Sequence, residues 1–191
     1  LPNTRRIILG VDPGTVVMGH ALLEVTPSGL RMLAMDALRL DTRAEMFDRL
    51  RTVHEAVQDL IRRHRPEALA IEAPFYGKNV QSMLKLGRAQ GVVIAAALAG
   101  GLPVAEYSPR SIKQAITGNG NATKERVWVM LQHTLGIGPA LTRLDASDAL
   151  AVAVCHHYTR TAPVPASRKT ARRKGGGWEA FLRDNPGRAS S

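Results

Sequence analysis

Four acidic residues stand where carboxylates are out of place: Asp12, Glu72, Asp145 and Asp148. Asp12 closes the apolar run Ile7-Ile8-Leu9-Gly10-Val11, and Glu72 closes Ala68-Leu69-Ala70-Ile71. Asp145 and Asp148 open the apolar stretch Ala149 to Val154. Burying an acid without a partner is costly, so acids at the ends of core segments point to a common place where something positive binds. At i and i+3 of a helix, Asp145 and Asp148 share one face with their Cβ atoms about 5–6 Å apart. Two carboxylates about 5 Å apart repel by roughly 3 kcal/mol at an effective dielectric of about 20. A cation, or a proton on one partner, relieves this. Oxygen-only donors select Mg²⁺ or Mn²⁺, and the sequence has no His–Cys cluster of the zinc type. Two such ions beside a polyanion suit in-line phosphodiester hydrolysis, one activating water and the other stabilising the leaving oxygen. Singly, the acids have plainer readings: Asp12 as a turn residue before Pro13-Gly14, Asp145 as a helix N-cap, Asp148 as a first-turn acid. Glu72 has no turn-forming role to fall back on.

The elements that must hold these acids follow from hydrophobic patterning. Arg6–Val11 is a continuous apolar run, suited to a central strand buried on both faces, and Asp12-Pro13-Gly14 ends it. His20–Val25 and Leu30–Leu40 read as strands joined by the turn Pro27-Ser28-Gly29. Met46, Leu50, Val53, Val57, Leu60 and Ile61 recur at helical spacing and predict a helix to His64. Ala68–Ile71 is a second buried strand, Val80–Ala99 a long helix, and Pro103–Tyr107 a third short apolar strand. Ser108-Pro109 is an N-cap followed by proline, starting a helix to about Thr117. Gly118-Asn119-Gly120-Asn121 breaks it as a flexible turn, and helices follow at about Thr123–Leu135 and Asp145–Tyr158. Three early strands followed by alternating helix and strand imply an α/β fold, a mixed sheet with helices on both faces. Ligands bind such sheets at the carboxyl ends of the parallel strands, where Asp12 and Glu72 stand.

Composition narrows the partner. The chain has 191 residues, 45 % of them hydrophobic, enough for one core. A net charge of +10 favours a polyanion, nucleic acid before membrane. Neither a signal peptide nor an apolar span of membrane-crossing length is expected, the longest apolar stretch being Gly91 to Gly101. A single cysteine, Cys155, excludes an internal disulfide and fits a reducing, cytoplasmic setting. Residues 1–160 read as one domain. Residues 161–191 hold seven basic and two acidic residues with Gly175-Gly176-Gly177, and read as a flexible basic tail that could add DNA affinity.

Taken in order, Ile8-Leu9-Gly10-Val11-Asp12-Pro13-Gly14, Ala70-Ile71-Glu72, Lys78-Asn79, Leu84 to Gly91, and Asp145-Ala146-Ser147-Asp148-Ala149-Leu150-Ala151 form a specific set. Over about residues 6–158 the chain resembles the RuvC family of bacterial Holliday-junction resolvases. The resemblance implies a ribonuclease-H-like fold with a mixed five-stranded sheet. It implies that Asp12, Glu72, Asp145 and Asp148 are the catalytic, metal-binding acids, for Mg²⁺ or Mn²⁺, two ions to a site. It implies a homodimer that nicks opposing strands of four-way junction DNA in recombination and repair, with the RuvA–RuvB branch-migration complex as partner.

Further residues gather round this reading. Phe75 and Tyr76 are adjacent aromatics in a polar loop with Lys78; an exposed ring there could stack on an unpaired base. The resemblance puts a base-stacking aromatic at Phe75, while a loop anchored in the core is the plainer alternative. By the same resemblance, Lys113 and Lys124 match basic positions of the family near the scissile phosphate, where a fixed ammonium neutralises developing charge; otherwise they lie on solvated helix faces. Small residues Gly91, Ala95, Ala96, Ala97 and Ala99 make the helix Ser82–Ala99 a candidate dimer seam, or a helix packed only on its own sheet. His133, His156 and His157 lack metal spacing. Two other classes compete: an actin-like ATPase or sugar kinase, suggested by Asp12-Pro13-Gly14-Thr15 but needing two copies of the fold, and a non-catalytic nucleic-acid-binding module, which needs no acids near DNA.

Overall fold

A computed structural model of the chain describes residues 5–74, 79–138 and 144–161, with the side chains of Leu144 and Asp145 left aside. Ten elements run β1 (Arg6–Asp12), β2 (Val17–Thr26), β3 (Gly29–Arg39), α1 (Met46–His64), β4 (Ala68–Glu72), α2 (Val80–Ala99), β5 (Val104–Tyr107), α3 (Pro109–Thr117), α4 (Lys124–Leu135) and α5 (Leu144–Thr161). The five strands form one sheet in the order β3-β2-β1-β4-β5. β1, β2 and β3 pair antiparallel, whereas β4 runs parallel to both β1 and β5. α1 and α2 are therefore the crossovers that bring the chain back to start each parallel strand, as parallel pairing demands.

Alternation along the strands sorts the core into two layers. Leu9 and Val11 of β1, with Leu69 and Ile71 of β4, pack with Val53, Val57 and Ile61 of α1 and Val93, Ala96 and Ala97 of α2. Ile8 and Ala70 face the other way, onto Ile112, Val127, Leu131 and the buried length of α5. The same parity carries Asp12 and Glu72 to the α5 side. Helices thus cover both faces, as the α/β expectation has it.

α5 lies unusually close to β1, and Gly10 is the reason. A Cβ at Gly10 would collide with the carbonyl oxygen of Ala149 and sit 2.9 Å from Cβ of Ala153. Only a residue without a side chain lets the helix settle there. Gly14 makes a similar approach to the carbonyl of Val17, closing the turn that follows Asp12.

Four expectations need correction. β2 begins at Val17 and not at His20, because Gly19 inside the strand dilutes its apolar pattern. The turn from Gly118 to Asn121 is braced: Gln114 Nε2 donates to the Gly118 carbonyl at 2.8 Å, and the Gly120 N–H donates back to Gln114 Oε1 at 3.0 Å. α2 is long and apolar enough, by length and composition, to cross a membrane. Here it packs on α1, with Ala96 and Ala97 fully buried and the Ala96 carbonyl accepting from Gln58 Nε2 at 2.7 Å. Those two alanines are core residues and cannot form a dimer seam. Val80, Leu84, Gly87, Gly91, Ala95 and Leu98 form the exposed stripe of that helix.

Candidate active site

Asp12 and Glu72 end neighbouring parallel strands on the same face of the sheet. The β1–β4 register pairs Val11 with Ile71, so the next residue on each strand is the acid. Asp148 enters from the first turns of α5, which the Gly10 contact draws down onto β1. Two adjoining clefts, of about 310 and 220 Å³, meet here, and Glu72, Lys124 and Asp148 line both. Asp12, Pro13 and Leu86 complete the smaller; Lys113, Pro109, Ile112 and Val127 complete the larger.

The electrostatics of the cluster are those of negative charge held too close. Burial, with Asp12 and Asp148 nearby, pushes the Glu72 carboxyl up to about 7, while Lys124 and Lys113 pull it partly back. Lys124 Nζ lies 2.5 Å from Asp148 Oδ2, and this bond holds the ammonium above its ordinary value. Lys124 is placed by its helix: it is the first residue of α4, after an N-cap at Thr123 whose side chain accepts from the Arg126 N–H at 3.3 Å. Lys113 stands on α3, capped by Ser108 accepting from the Ser111 N–H at 3.1 Å with Pro109 next.

Of the residues expected at the site, Asp12, Glu72, Asp148, Lys113 and Lys124 come to these two clefts. Asp145 falls inside the first turn of α5, past the N-cap position, and its side chain lies outside what is described. Phe75, Tyr76 and Lys78 lie outside the described residues. Among the described residues no three acids close on one point tightly enough to hold a metal ion. The ammonium of Lys124 against Asp148 fills part of that space instead. The donor set nevertheless fits a hard divalent cation, being all oxygen and, by the Glu72 shift, short of positive charge.

Sequence reasoning missed two supports. Arg49 of α1 donates through Nη1 to the Thr15 carbonyl at 3.0 Å, fixing the loop just beyond Asp12. Tyr107, paired in register with Glu72 at the end of β5, has its hydroxyl 2.9 Å from Nδ1 of the buried His156 on α5. That bond ties the strand edge carrying Glu72 to the helix carrying Asp148. Neither shows in local pattern, since both join elements distant in sequence.

A family model for the crossover junction endodeoxyribonuclease RuvC matches residues 8–156. The crossover junction endodeoxyribonuclease RuvC of Christiangramia forsetii is 49 % identical over 185 residues, covering 96 % of this chain and 93 % of the relative. Among solved structures, Thermus thermophilus RuvC superposes with a TM-score of 0.75 at 32 % identity, covering 81 % of this chain and 95 % of that one. The T. thermophilus protein in complex with a Holliday junction substrate gives 0.74 at 30 % identity, over 81 % of this chain and 94 % of that one.

Proposed function

The chain belongs to the RuvC family of crossover junction endodeoxyribonucleases, and from that premise we propose how its own residues resolve a four-way DNA junction. It is a nuclease with the ribonuclease-H-like fold, acting on junction DNA in recombination and repair. Asp12, Glu72, Asp145 and Asp148 are its catalytic acids. What supports this is geometric: Asp12 and Glu72 end neighbouring parallel strands and share one cleft with Asp148, where burial and those two acids push the Glu72 carboxyl up to about 7. A carboxylate cluster with that deficit of positive charge would hold two Mg²⁺ or Mn²⁺ ions. When bound, the ions supply Lewis acidity at the scissile phosphodiester. Asp12, Glu72 and Asp148 hold that charge at the strand ends, and Lys113 and Lys124 face the phosphate across the cleft. Pro109, Ile112 and Val127 wall the larger cleft with apolar groups, which strengthens every charge interaction inside it.

Phe75 stacks on an unpaired base, with Tyr76 and Lys78 beside it on the DNA. Paired incisions need paired sites, so the working unit is an isologous homodimer, seamed along the exposed stripe of α2. The RuvA–RuvB branch-migration complex delivers the junction, the cytoplasm being where bacterial DNA is. Residues 1–160 form the nuclease domain and the basic segment 161–191 adds backbone affinity. A synthetic four-way junction tests the reading: the chain cuts it only with Mg²⁺ or Mn²⁺ present. Asp12→Asn, Glu72→Gln, Asp145→Asn and Asp148→Asn should each abolish cutting yet still bind, since removing negative charge near phosphate cannot weaken electrostatic attraction. Any of the four that cuts at wild-type rate loses its assigned role.

A further inference from the structure

At the opposite end of β1 the fold gathers a second charged cluster that the nuclease chemistry does not use. Arg5 and Arg6 stand at the start of the strand, Arg63, His64 and Arg65 at the end of α1, and with Glu67 they line a cleft of about 360 Å³. Six residue steps separate Arg6 from Asp12, roughly 20 Å at about 3.3 Å per residue. A duplex seated on the catalytic acids therefore leaves this edge uncovered unless it bends around the domain.

Charge there is out of balance. Glu24 is shared by Arg5 and Arg31, Asp59 by Arg62 and Arg63, and Glu67 meets Arg6 at 3.5 Å. Arg65 adds a sixth arginine with no ion pair among the described residues. Three acids against six guanidinium groups leave three positive charges in excess. The end of α1 accounts for only about half a negative charge of helix dipole, so capping the helix does not explain the surplus. Arg65 itself adopts φ 46°, and no other non-glycine residue among those described has positive φ. Helices usually end there on glycine, and an arginine costs about 1 kcal/mol more in that conformation. The chain keeps the side chain regardless.

Resting on the junction-nuclease reading, we propose that this edge is a second seat for the phosphodiester backbone of duplex DNA, remote from the catalytic acids. Guanidinium forks match phosphate oxygens two at a time, and several around a concave edge suit a repeating backbone. The phosphates come either from an arm of the bound junction that folds back or from a second duplex.

The double variant Arg63→Gln/Arg65→Asn of the full chain tests this; asparagine tolerates the left-handed backbone. Its junction affinity is measured against salt, beside its cleavage rate at saturating junction and its melting temperature. Every phosphate that the variant leaves unneutralised should flatten the slope of log K on log salt by about 0.9, so a change of about 1–2 is expected, with cleavage rate and melting unmoved. If long-armed junctions show the change and arms too short to pass the strand do not, the arm is the source. If both show it, and wild type but not the variant binds an added linear duplex, the second duplex is. Unchanged slopes on every DNA overturn the proposal. A poly-glutamate peptide retained by wild type alone would in that case assign the edge to an acidic protein surface. A folded variant that no longer cuts at saturation also overturns it, by placing the edge in catalysis. Failure of the wild type to cut any junction would sink the nuclease reading itself.

Discussion

Lys124, the first residue of α4, reaches 2.5 Å from Oδ2 of Asp148 on α5, so the cation beside the acids is positioned by one of them. Lys124→Gln should lower single-turnover cleavage by about 10²–10³, the usual consequence of losing one group that stabilises developing charge. The side chain is 68 % exposed, and an ion pair that open to solvent contributes at most about 1 kcal/mol. Melting should therefore barely change. Wild-type cutting by the variant would show that Lys124 only decorates the rim.

Glu72 makes the metal-free protein sensitive to pH in a direction opposite to that of most carboxylates. Its folded pKa is about 7 against an ordinary 4.5, so between those values the folded state holds the proton more tightly than the unfolded one. Stability from this group is present below about pH 4.5 and is lost as pH rises through 7. The loss is roughly 3–4 kcal/mol, at about 1.4 kcal/mol per unit. Denaturant melts in EDTA at pH 5 and pH 8, comparing wild type with Glu72→Gln, isolate it from the histidines. The variant should be the more stable protein at pH 8 and catalytically dead. Parallel pH profiles for the two proteins would refute the assignment.

Gly10→Ala introduces a single methyl group where Ala149 and Ala153 already press on β1. Overpacking of this kind costs about 1–3 kcal/mol, and here it must push α5 off the strand that carries Asp12. A misplacement of about 1 Å can cost about 10²-fold in rate. The expected result is a lower melting temperature with cleavage falling further than the loss of folded protein explains. Normal cleavage in a folded variant would mean that α5 tolerates the shift.

Adjacent alanines on α2 should behave oppositely. Ala95 is exposed and Ala96 fully buried. Ala95→Glu should leave the fold intact, yield a monomer in sedimentation and uncouple the two nicks of a junction. Ala96→Glu buries a charge against α1 and should fail to fold. A dimeric Ala95→Glu protein would move the seam elsewhere.

These contrasts mark where sequence stops being legible. Asp12 and Glu72 stood out because an acid ending a buried run is anomalous by itself, and strand parity then sent both to one face. The fold followed from similar local signals, such as the cap at Ser108-Pro109 and the periodicity of α1. α2 resisted: apolar nearly all round, it has too weak a periodic signal to say that Ala96 faces inward and Ala95 outward. The Lys124–Asp148 bond spans 24 residues and the Tyr107–His156 bond spans 49, distances at which no local pattern operates. Gly10 read simply as part of an apolar strand, because its function depends on a helix more than 130 residues later.

Order of synthesis gives the closeness of α5 to β1 another meaning. α5 is the last of the described elements to leave the ribosome, and domains begin folding from the amino end as they emerge. Until it arrives, Ile8, Ala21, Leu23 and Ala70 have only side chains of α3 and α4, such as Ile112 and Leu131, to cover them on one side of the sheet, and Asp145 and Asp148 do not yet exist. A chain lacking α5 should therefore expose apolar surface that the complete domain buries. The same late helix closes the core and brings in the last two of the proposed catalytic acids, so a chain that stops before it should neither pack nor cut.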